Sequence, residues 1–348
     1  NYPDCLTRAM SGENVPRIVY DNLIKSVHGG LKYLHGYMGW RAEKMGLAKL
    51  HMYDLHVPVV SEYKLSVSYE EACEIVKKAL APLGEEYLSH IREAMENRWI
   101  DVYENKGKRT GAYSWGTYRS HPYVLLNYNG TAHDVFTIAH ELGHSMHSYY
   151  SDKNQPSSKA QYEIFVAEVA STVNEVLLLK YMLEHSRDEQ EREYLLTYYL
   201  DMFRTTLFRQ TQFAEFEEKA HALAEKDMPV TCDALNEEYL KINKLYYGKN
   251  VVSDKQIAWE WARIPHFYRS FYVYKYATGL TSAVSIARGI LSGGEKEKEG
   301  YMKFLSAGGS MPPVEILKLA GVDLTTEVPF ENAMREMADT LGLLKREK

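Results

Sequence analysis

The chain has 348 residues, 45% hydrophobic and 25% charged, a composition typical of a folded protein and not of a disordered one. Its net charge of −6 and its lack of a basic block argue against nucleic acid or an anionic membrane as the main partner. The apolar runs are short, which argues against a transmembrane helix. Three widely spaced cysteines do not make a disulfide framework, and they favour a reducing, cytoplasmic location.

The first third of the chain is predicted to be helical. Apolar residues recur at nearly 3.6-residue spacing over residues 22–45 and 69–97. Ser68 and Glu71 have the spacing of a capping box, which predicts a helix start at this point. Gly84 is expected to interrupt the second helix.

A different pattern covers residues 99–129, where glycines and a proline separate short apolar runs. This segment predicts two or three strands, and residues 123–128 could pair by their edge with an extended peptide. An ordinary sheet strand explains the run 123–128 equally well. The helical pattern returns after Thr131 and continues to about residue 226.

The C-terminal part is predicted to hold helices over 229–247 and 330–344, with a further helix opened by Pro265. Residues 292–300, rich in glycine and charge, are interpreted as a surface connection. We find no internal repeat and no long linker. The sequence therefore predicts a mainly α fold with a small β-sheet near residues 99–129, in a single region over 1–348.

The strongest motif is His140-Glu141-Leu142-Gly143-His144, an H-E-x-x-H pattern inside a helical segment. Two histidines four residues apart project from one helix face and can bind one Zn²⁺. Glu141 lies beside that face and can act as a general base. Incidental histidines on an exposed helix are the alternative interpretation. Gly143 is unfavourable inside a helix, so we expect another element to approach closely there.

A catalytic zinc usually has three protein ligands. The extended motif that adds a third histidine downstream is absent, because Tyr150 stands at that position. The next helix carries Glu168 among apolar and small residues, where a carboxylate needs a partner. Glu168 is therefore the predicted third ligand, with a buried ion pair as the alternative.

Three further residues are candidates for a supporting role. Glu175 lies two turns beyond Glu168 and could accept the other ring N–H of a zinc-bound histidine, although an ordinary salt bridge is an equal alternative. Asp134 could do the same, but helix capping explains it as well. His147 shares the histidine face and could touch substrate or a carboxylate, whereas a polar histidine near the site is the simpler interpretation.

Together these residues resemble a known family. The stretches 140–147 and 165–171 resemble the thimet-oligopeptidase family of zinc metallopeptidases, and the oligoendopeptidase F branch in particular. Residues 107–112, 120–128 and 264–268 are similar to the same branch. The resemblance extends over nearly the whole chain.

The resemblance implies a mainly helical, zincin-type enzyme with a deep channel that admits oligopeptides. It implies one Zn²⁺ per chain held by His140, His144 and Glu168, with transition-state stabilisation by His266 and a tyrosine. Tyr272 is the first choice for that tyrosine and Tyr268 the second. The resemblance also implies that the chain is a catalytic region without an N-terminal helical lobe.

The predicted function is zinc-dependent hydrolysis of short, unstructured peptides. Glu141 would serve as general base, and no nucleic acid or membrane partner is expected. The alternatives are a zinc carboxypeptidase and a catalytically silent helical peptide-binding protein. The sequence does not fix the oligomeric state.

Overall fold

The computed structural model describes residues 1–60 and 66–346. Its helices are α1 (Cys5–Ser11), α2 (Arg17–Lys44), α3 (Tyr69–Ala79), α4 (Glu85–Glu96), α5 (Ala132–Asn154), α6 (Ile164–Glu184), α7 (Glu189–Met202), α8 (Arg209–Glu225), α9 (Cys232–Tyr247), α10 (Tyr274–Gly293), α11 (Glu295–Leu305), α12 (Pro313–Leu319) and α13 (Val328–Arg346). Its strands are β1 (Leu50–His51), β2 (Ile100–Asp101), β3 (Tyr113–Thr117), β4 (Ser120–Leu125) and β5 (Val251–Val252). The predicted mainly α fold with a small sheet near residues 99–129 is confirmed.

The chain divides into two compact units. The first unit contains residues 1–61, 192–281 and 324–348, and the second contains residues 62–191 and 282–323. The interpretation of 1–348 as a single catalytic region stays a prediction.

In the second unit, α5 and α6 pack along each other, and α3, α4 and α11 pack against α5. Ser68 and Glu71 form the predicted capping box at the start of α3. Gly84, with a φ of +92°, interrupts the helical segment before α4, as the sequence predicts.

The sheet of the second unit has the order β2-β4-β3. β4 pairs in parallel with β2 and antiparallel with β3, with Ser114 opposite Val124. Backbone bonds from Leu126 and Tyr128 to the β2 side continue this pairing. The prediction that residues 123–128 offer a free edge is therefore wrong, because both sides of β4 are paired. The edge strands in the described part of this sheet are β2 and β3.

In the first unit, the 28-residue α2 packs against α13 and α9, and α8 packs against α9. A π-helical segment, Phe203–Phe208, joins α7 to α8. β1 and β5 form a two-residue parallel ladder, which is not among the predicted strands.

The structure corrects two predictions in the C-terminal part. Pro265 opens only a short 3-10 segment, Pro265–Tyr268, and the helix begins later, at Tyr274. Phe271 between them has a φ of +57°, which no right-handed helix tolerates. The predicted surface connection is largely helix α11, where Lys298 pairs with Glu295 at 2.6 Å.

None of the described helices combines the length and the hydropathy that crossing a membrane requires.

Candidate metal centre

Helix α5 begins with a complete capping box. The Thr131 hydroxyl accepts a hydrogen bond from the Asp134 N–H, and the Asp134 carboxylate accepts from the Thr131 N–H at 2.9 Å. Asp134 also accepts from the Asn129 N–H at 3.1 Å. The hydrogen bonds of Asp134 are thus those of a helix cap, and none of them joins it to a ring nitrogen of the predicted histidines.

The two helices of the site approach most closely at Gly143. A Cβ on Gly143 would lie 2.5 Å from the Cα of Ser171 and 2.6 Å from the Ala170 carbonyl oxygen. The sequence predicted a close approach here, and the structure confirms it. The Asn174 side chain fixes the same crossing by donating to the Ala139 carbonyl at 3.0 Å.

This crossing brings the three predicted ligands together. His140 Nε2 lies 3.1 Å from His144 Nε2, and Glu168 Oε2 lies 3.5 Å and 3.6 Å from these two nitrogens. Ligand atoms about 2.1 Å from a tetrahedral ion are separated by about 3.4 Å. The spacing of the three donors therefore fits one zinc-sized ion. We call His140, His144 and Glu168 the metal triad.

Within the described residues, the metal triad is the one group of His, Cys, Asp or Glu side chains close enough to hold a metal ion. All three residues are partly buried, with side-chain exposures of 26%, 19% and 38%. The site therefore retains an open side.

Glu175 contacts His140 on the ring nitrogen that faces away from the other two residues of the metal triad. Its carboxylate accepts a hydrogen bond from His140 Nδ1, which leaves Nε2 of the same ring facing Glu168. Burial by itself lowers the pKa of His140. The hydrogen bond to Glu175 and the charges of the nearby carboxylates outweigh this effect and raise the pKa to about 9. Burial and the charge of His140 lower the pKa of His144 to about 4. Glu175 thus orients His140 and makes it a better electron donor.

Glu141 is 6% exposed, and its Oε2 atom has no hydrogen-bond partner among the described residues. Burial and the charges of Glu168 and Glu175 raise its pKa to about 7, although His140 and the Ser114 N–H act in the opposite direction. A carboxylate with a pKa near neutrality can both accept and return a proton in neutral solution. This is the electrostatic requirement for a general base.

Strand β3 lies directly against α5. The inward-facing Ser114 shares a hydrogen bond of 2.8 Å with the Ser145 hydroxyl. A Cβ on Gly116 would lie 2.6 Å from the Cβ of Ser148, so only glycine fits this contact. Tyr113 and Trp115, which alternate with these residues, are 51% and 67% exposed.

His147 is fully buried, so it lies out of reach of a bound peptide. Its ring stacks on Tyr162 with the centroids 3.7 Å apart, and neither ring nitrogen has a hydrogen-bond partner in the described part of the chain. Burial lowers its pKa to about 3, which keeps the ring neutral. These contacts favour the simpler interpretation of His147, a histidine packed near the site, over a contact with substrate or a carboxylate.

The predicted transition-state residues belong to the first unit. His266 stacks on Tyr272 with the ring centroids 5.9 Å apart, and Tyr276 lies edge-on to both rings. The Tyr276 hydroxyl lies 3.4 Å from His266 Nε2. We call His266, Tyr272 and Tyr276 the aromatic cluster. Tyr268 is 91% exposed and makes none of these ring contacts.

Tyr276 is not among the predicted site residues. A helix opened by Pro265 would have carried Tyr268, Tyr272 and Tyr276 on one face. Instead, a 3-10 segment, a turn and a helix carry them. The turn at Phe271 brings Tyr276 back to His266.

Comparison with known proteins places the chain in a family. The sequence pattern of peptidase family M3 matches residues 1–336. The chain is 47% identical to Oligopeptidase PepF of Bacillus subtilis, over 98% of this chain and 51% of that protein. It is 41% identical to Group B oligopeptidase PepB of Streptococcus agalactiae, over 98% of this chain and 57% of that protein.

Solved structures show the same relationship. A crystal structure from Chlamydophila abortus superposes with a TM-score of 0.94 at 42% identity, covering 100% of this chain and 58% of that one. Oligoendopeptidase-F from Enterococcus faecium superposes with a TM-score of 0.79 at 37% identity, covering 100% of this chain and 56% of that one.

The fold, with an H-E-x-x-H helix crossing a second, glutamate-bearing helix, is that of the helical zincin-like peptidases. Within that class, the chain belongs to peptidase family M3. The resemblance to the thimet-oligopeptidase family and its oligoendopeptidase F branch is thereby confirmed. The chain spans about half the length of the curated relatives that it matches.

Proposed function

We propose that this chain is the catalytic region of a zinc-dependent endopeptidase that hydrolyses short, unstructured peptides in a deep channel. The observation that carries the proposal is the metal triad, whose donor atoms lie 3.1–3.6 Å apart beside a buried glutamate. Membership of family M3 and similarity to oligopeptidases support the substrate class. The channel rests on the family resemblance alone.

His140, His144 and Glu168 would hold one Zn²⁺, and the mixed nitrogen and oxygen donor set suits that ion. The ion would supply a Lewis acid that polarises the scissile carbonyl and lowers the pKa of water. Glu175 keeps the His140 ring in the orientation that directs Nε2 into the triad.

Glu141 is assigned the proton transfers. Its carboxylate takes a proton from the attacking water and returns it to the leaving amine when the peptide bond breaks. The buried position of Glu141 and its pKa of about 7 support both steps near neutral pH. A site that only stored metal would gain nothing from this carboxylate, so Glu141 argues against a silent peptide-binding protein.

An extended substrate is proposed to pair with β3. This strand has one unpaired side within the described sheet, and Ser114 and Gly116 hold it against α5. Backbone pairing ignores side-chain identity, so it supports broad sequence tolerance.

The aromatic cluster is assigned to transition-state stabilisation. His266 and Tyr272 remain the proposed donors to the developing oxyanion, and the contact of Tyr276 with His266 makes it a third candidate. Tyr268 is largely exposed, which argues against its hydroxyl being held in place to stabilise the transition state. A cytoplasmic location, supported by the three separated cysteines, completes the proposal.

The test uses the purified 348-residue chain, loaded with zinc, and an internally quenched peptide. We expect hydrolysis that a chelator abolishes and added zinc restores. Glu141→Gln should lose at least about a thousandfold in kcat while its zinc content stays at the wild-type level. Glu163→Gln, the same change at an exposed residue, is the matched control.

Mass spectrometry of the products separates the alternatives. Cleavage inside a peptide blocked at its C-terminus supports an endopeptidase, whereas release of only the last residue from a free C-terminus indicates a carboxypeptidase. Hydrolysis by Glu141→Gln at the wild-type rate would contradict the proposed general base.

A further inference from the structure

We propose that Glu217 is a positioning residue, whose carboxylate holds the turn of residues 269–273 in the conformation that places Tyr272 against His266. The proposal rests on the proposed function, because it concerns the aromatic cluster assigned above to transition-state stabilisation. All of the residues involved belong to the first unit.

The turn contains a strained residue. Phe271 has a φ of +57°, a left-handed conformation that is rare for a bulky residue. Such strain costs about 1–3 kcal/mol and persists only where the surroundings enforce it. The ring of Phe271 is buried, with its centroid 4.6 Å from that of His221 and 6.4 Å from that of Tyr20.

Glu217 on α8 supplies a second constraint. Its Oε1 atom accepts a hydrogen bond of 2.6 Å from the Phe271 N–H. The side chain is only 3% exposed, and Oε2 has no hydrogen-bond partner within the described residues. Burying a carboxylate with so few partners is unfavourable. Core packing does not explain this arrangement, since an apolar side chain of the same size would fill the space more favourably.

The hydrogen bond to Glu217 is made in the middle of the turn, between two backbone hydrogen bonds. On one side, the Arg269 N–H donates to the His266 carbonyl at 2.8 Å, and on the other the Tyr276 N–H donates to the Val273 carbonyl at 3.2 Å. Phe271 lies between these fixed points and directly precedes Tyr272. If Phe271 relaxed to a negative φ, the chain direction at Tyr272 would change, and the stacking of Tyr272 on His266 would be lost.

The first experiment follows the turn itself by hydrogen exchange and mass spectrometry, on the full chain without added metal. Glu217→Met keeps the side-chain volume but offers no acceptor, whereas Glu217→Gln keeps a carbonyl oxygen for the Phe271 N–H. We expect exchange across residues 266–273 to accelerate by about tenfold or more in Glu217→Met. At about pH 5, where the Glu217 carboxyl is still protonated in the folded chain, Glu217→Gln and the exposed control Glu237→Ala should exchange like the wild type.

Unchanged exchange in Glu217→Met would overturn the proposal, and so would equal acceleration in Glu217→Gln. Exchange in α5 of the second unit serves as the reference for global stability. Acceleration there to the same extent would identify a general loss of stability and would also overturn the proposal.

The second experiment is a double-mutant cycle with the zinc-loaded chain and a quenched peptide. Glu217→Met should lower kcat by about tenfold with KM within about twofold, and Glu217→Gln should stay near the wild type. In a Tyr272→Phe background, the same Glu217→Met change should cost less than about twofold. An undiminished loss in that background would contradict positioning through Tyr272. If the wild type itself cleaves nothing, the proposed function fails, and the exchange result still decides what Glu217 does in the turn.

Discussion

Gly143 on α5 and Ser171 on α6 touch backbone to backbone: a Cβ on Gly143 would lie 2.5 Å from the Ser171 Cα. The contact lies inside the H-E-x-x-H motif, one residue before His144. It sets the separation of the two helices that carry the metal triad. The atoms that a Cβ on Gly143 would meet are backbone atoms of α6, which cannot move aside as the end of a flexible side chain could.

Gly143→Ala is therefore expected to push α6 away from α5 and to weaken metal binding. The chain should lose about tenfold or more in zinc affinity, as judged by competition with a chromogenic chelator. Its free energy of unfolding should fall by about 1–3 kcal/mol because of overpacking.

Gly29→Ala is the matched control, since a Cβ at Gly29 meets no atom within 4 Å. Alanine is the better helix former, so this variant should be neutral or slightly more stable. Equal zinc affinity in Gly143→Ala and in the wild type would show that the site does not depend on this contact.

Glu175→Gln tests the support behind His140. The variant keeps the shape of the side chain but loses the charge that accepts from His140 Nδ1. Loss of such a partner typically lowers metal affinity by about 10- to 100-fold. Titration with zinc measures the change, with Glu184→Gln, an exposed residue of the same helix, as control. If Glu175→Gln bound zinc as tightly as the wild type, the His140–Glu175 contact would be an ordinary ion pair without a role in metal binding.

Asp134→Ala separates capping from metal support. Asp134 bonds to Thr131 and Asn129 at the start of α5. Removing the cap should lower the free energy of unfolding by about 1 kcal/mol and leave zinc affinity within about twofold of the wild type. Chemical denaturation and zinc titration measure the two quantities. A large loss of affinity with unchanged stability would reverse the assignment.

The buried carboxyl of Glu217 is expected to make the free energy of unfolding depend on pH. Burial raises the pKa of its carboxyl from the usual 4.5 to about 7. Above pH 4.5 the unfolded chain releases this proton while the folded chain keeps it, so stability falls as the pH rises from about 4.5 to about 7. The full effect of this shift is about 3 kcal/mol.

Glu217→Gln cannot titrate, and it isolates this effect from the other ionisable groups. The wild type should lose about 3 kcal/mol relative to Glu217→Gln between pH 4.5 and pH 8, measured by urea denaturation across that range. Parallel stability profiles for the two proteins would show that Glu217 titrates normally.

Local patterns predicted much of the second unit. The H-E-x-x-H spacing, the capping box at Ser68 and the helix-breaking Gly84 are short-range features that physical chemistry ties to local structure. Gly143 also indicated a tertiary contact, because its presence in a helix needed a reason. Sequence spacing placed Glu168 and Glu175 on one helix face, and the structure orients that face toward the histidines.

The first unit was harder to predict because its turn depends on a distant residue. Nothing near Phe271 in the sequence indicates a positive φ, since the constraint comes from Glu217, 54 positions earlier. The predicted helix from Pro265 therefore ran through this turn, and the contact of Tyr276 with His266 was not foreseen. The same limit applies to β4, whose pairing on both sides depends on the distant β2.

Elemental mass spectrometry measures directly whether the metal triad binds one zinc ion. The wild-type chain, loaded with zinc and desalted, is compared with His144→Ala and Glu168→Gln after each is verified as folded by circular dichroism. We expect close to one zinc per wild-type chain and a loss of most of it in both variants. A folded wild-type chain that takes up no zinc, or variants that retain a full equivalent, would show that these three residues do not form a zinc site.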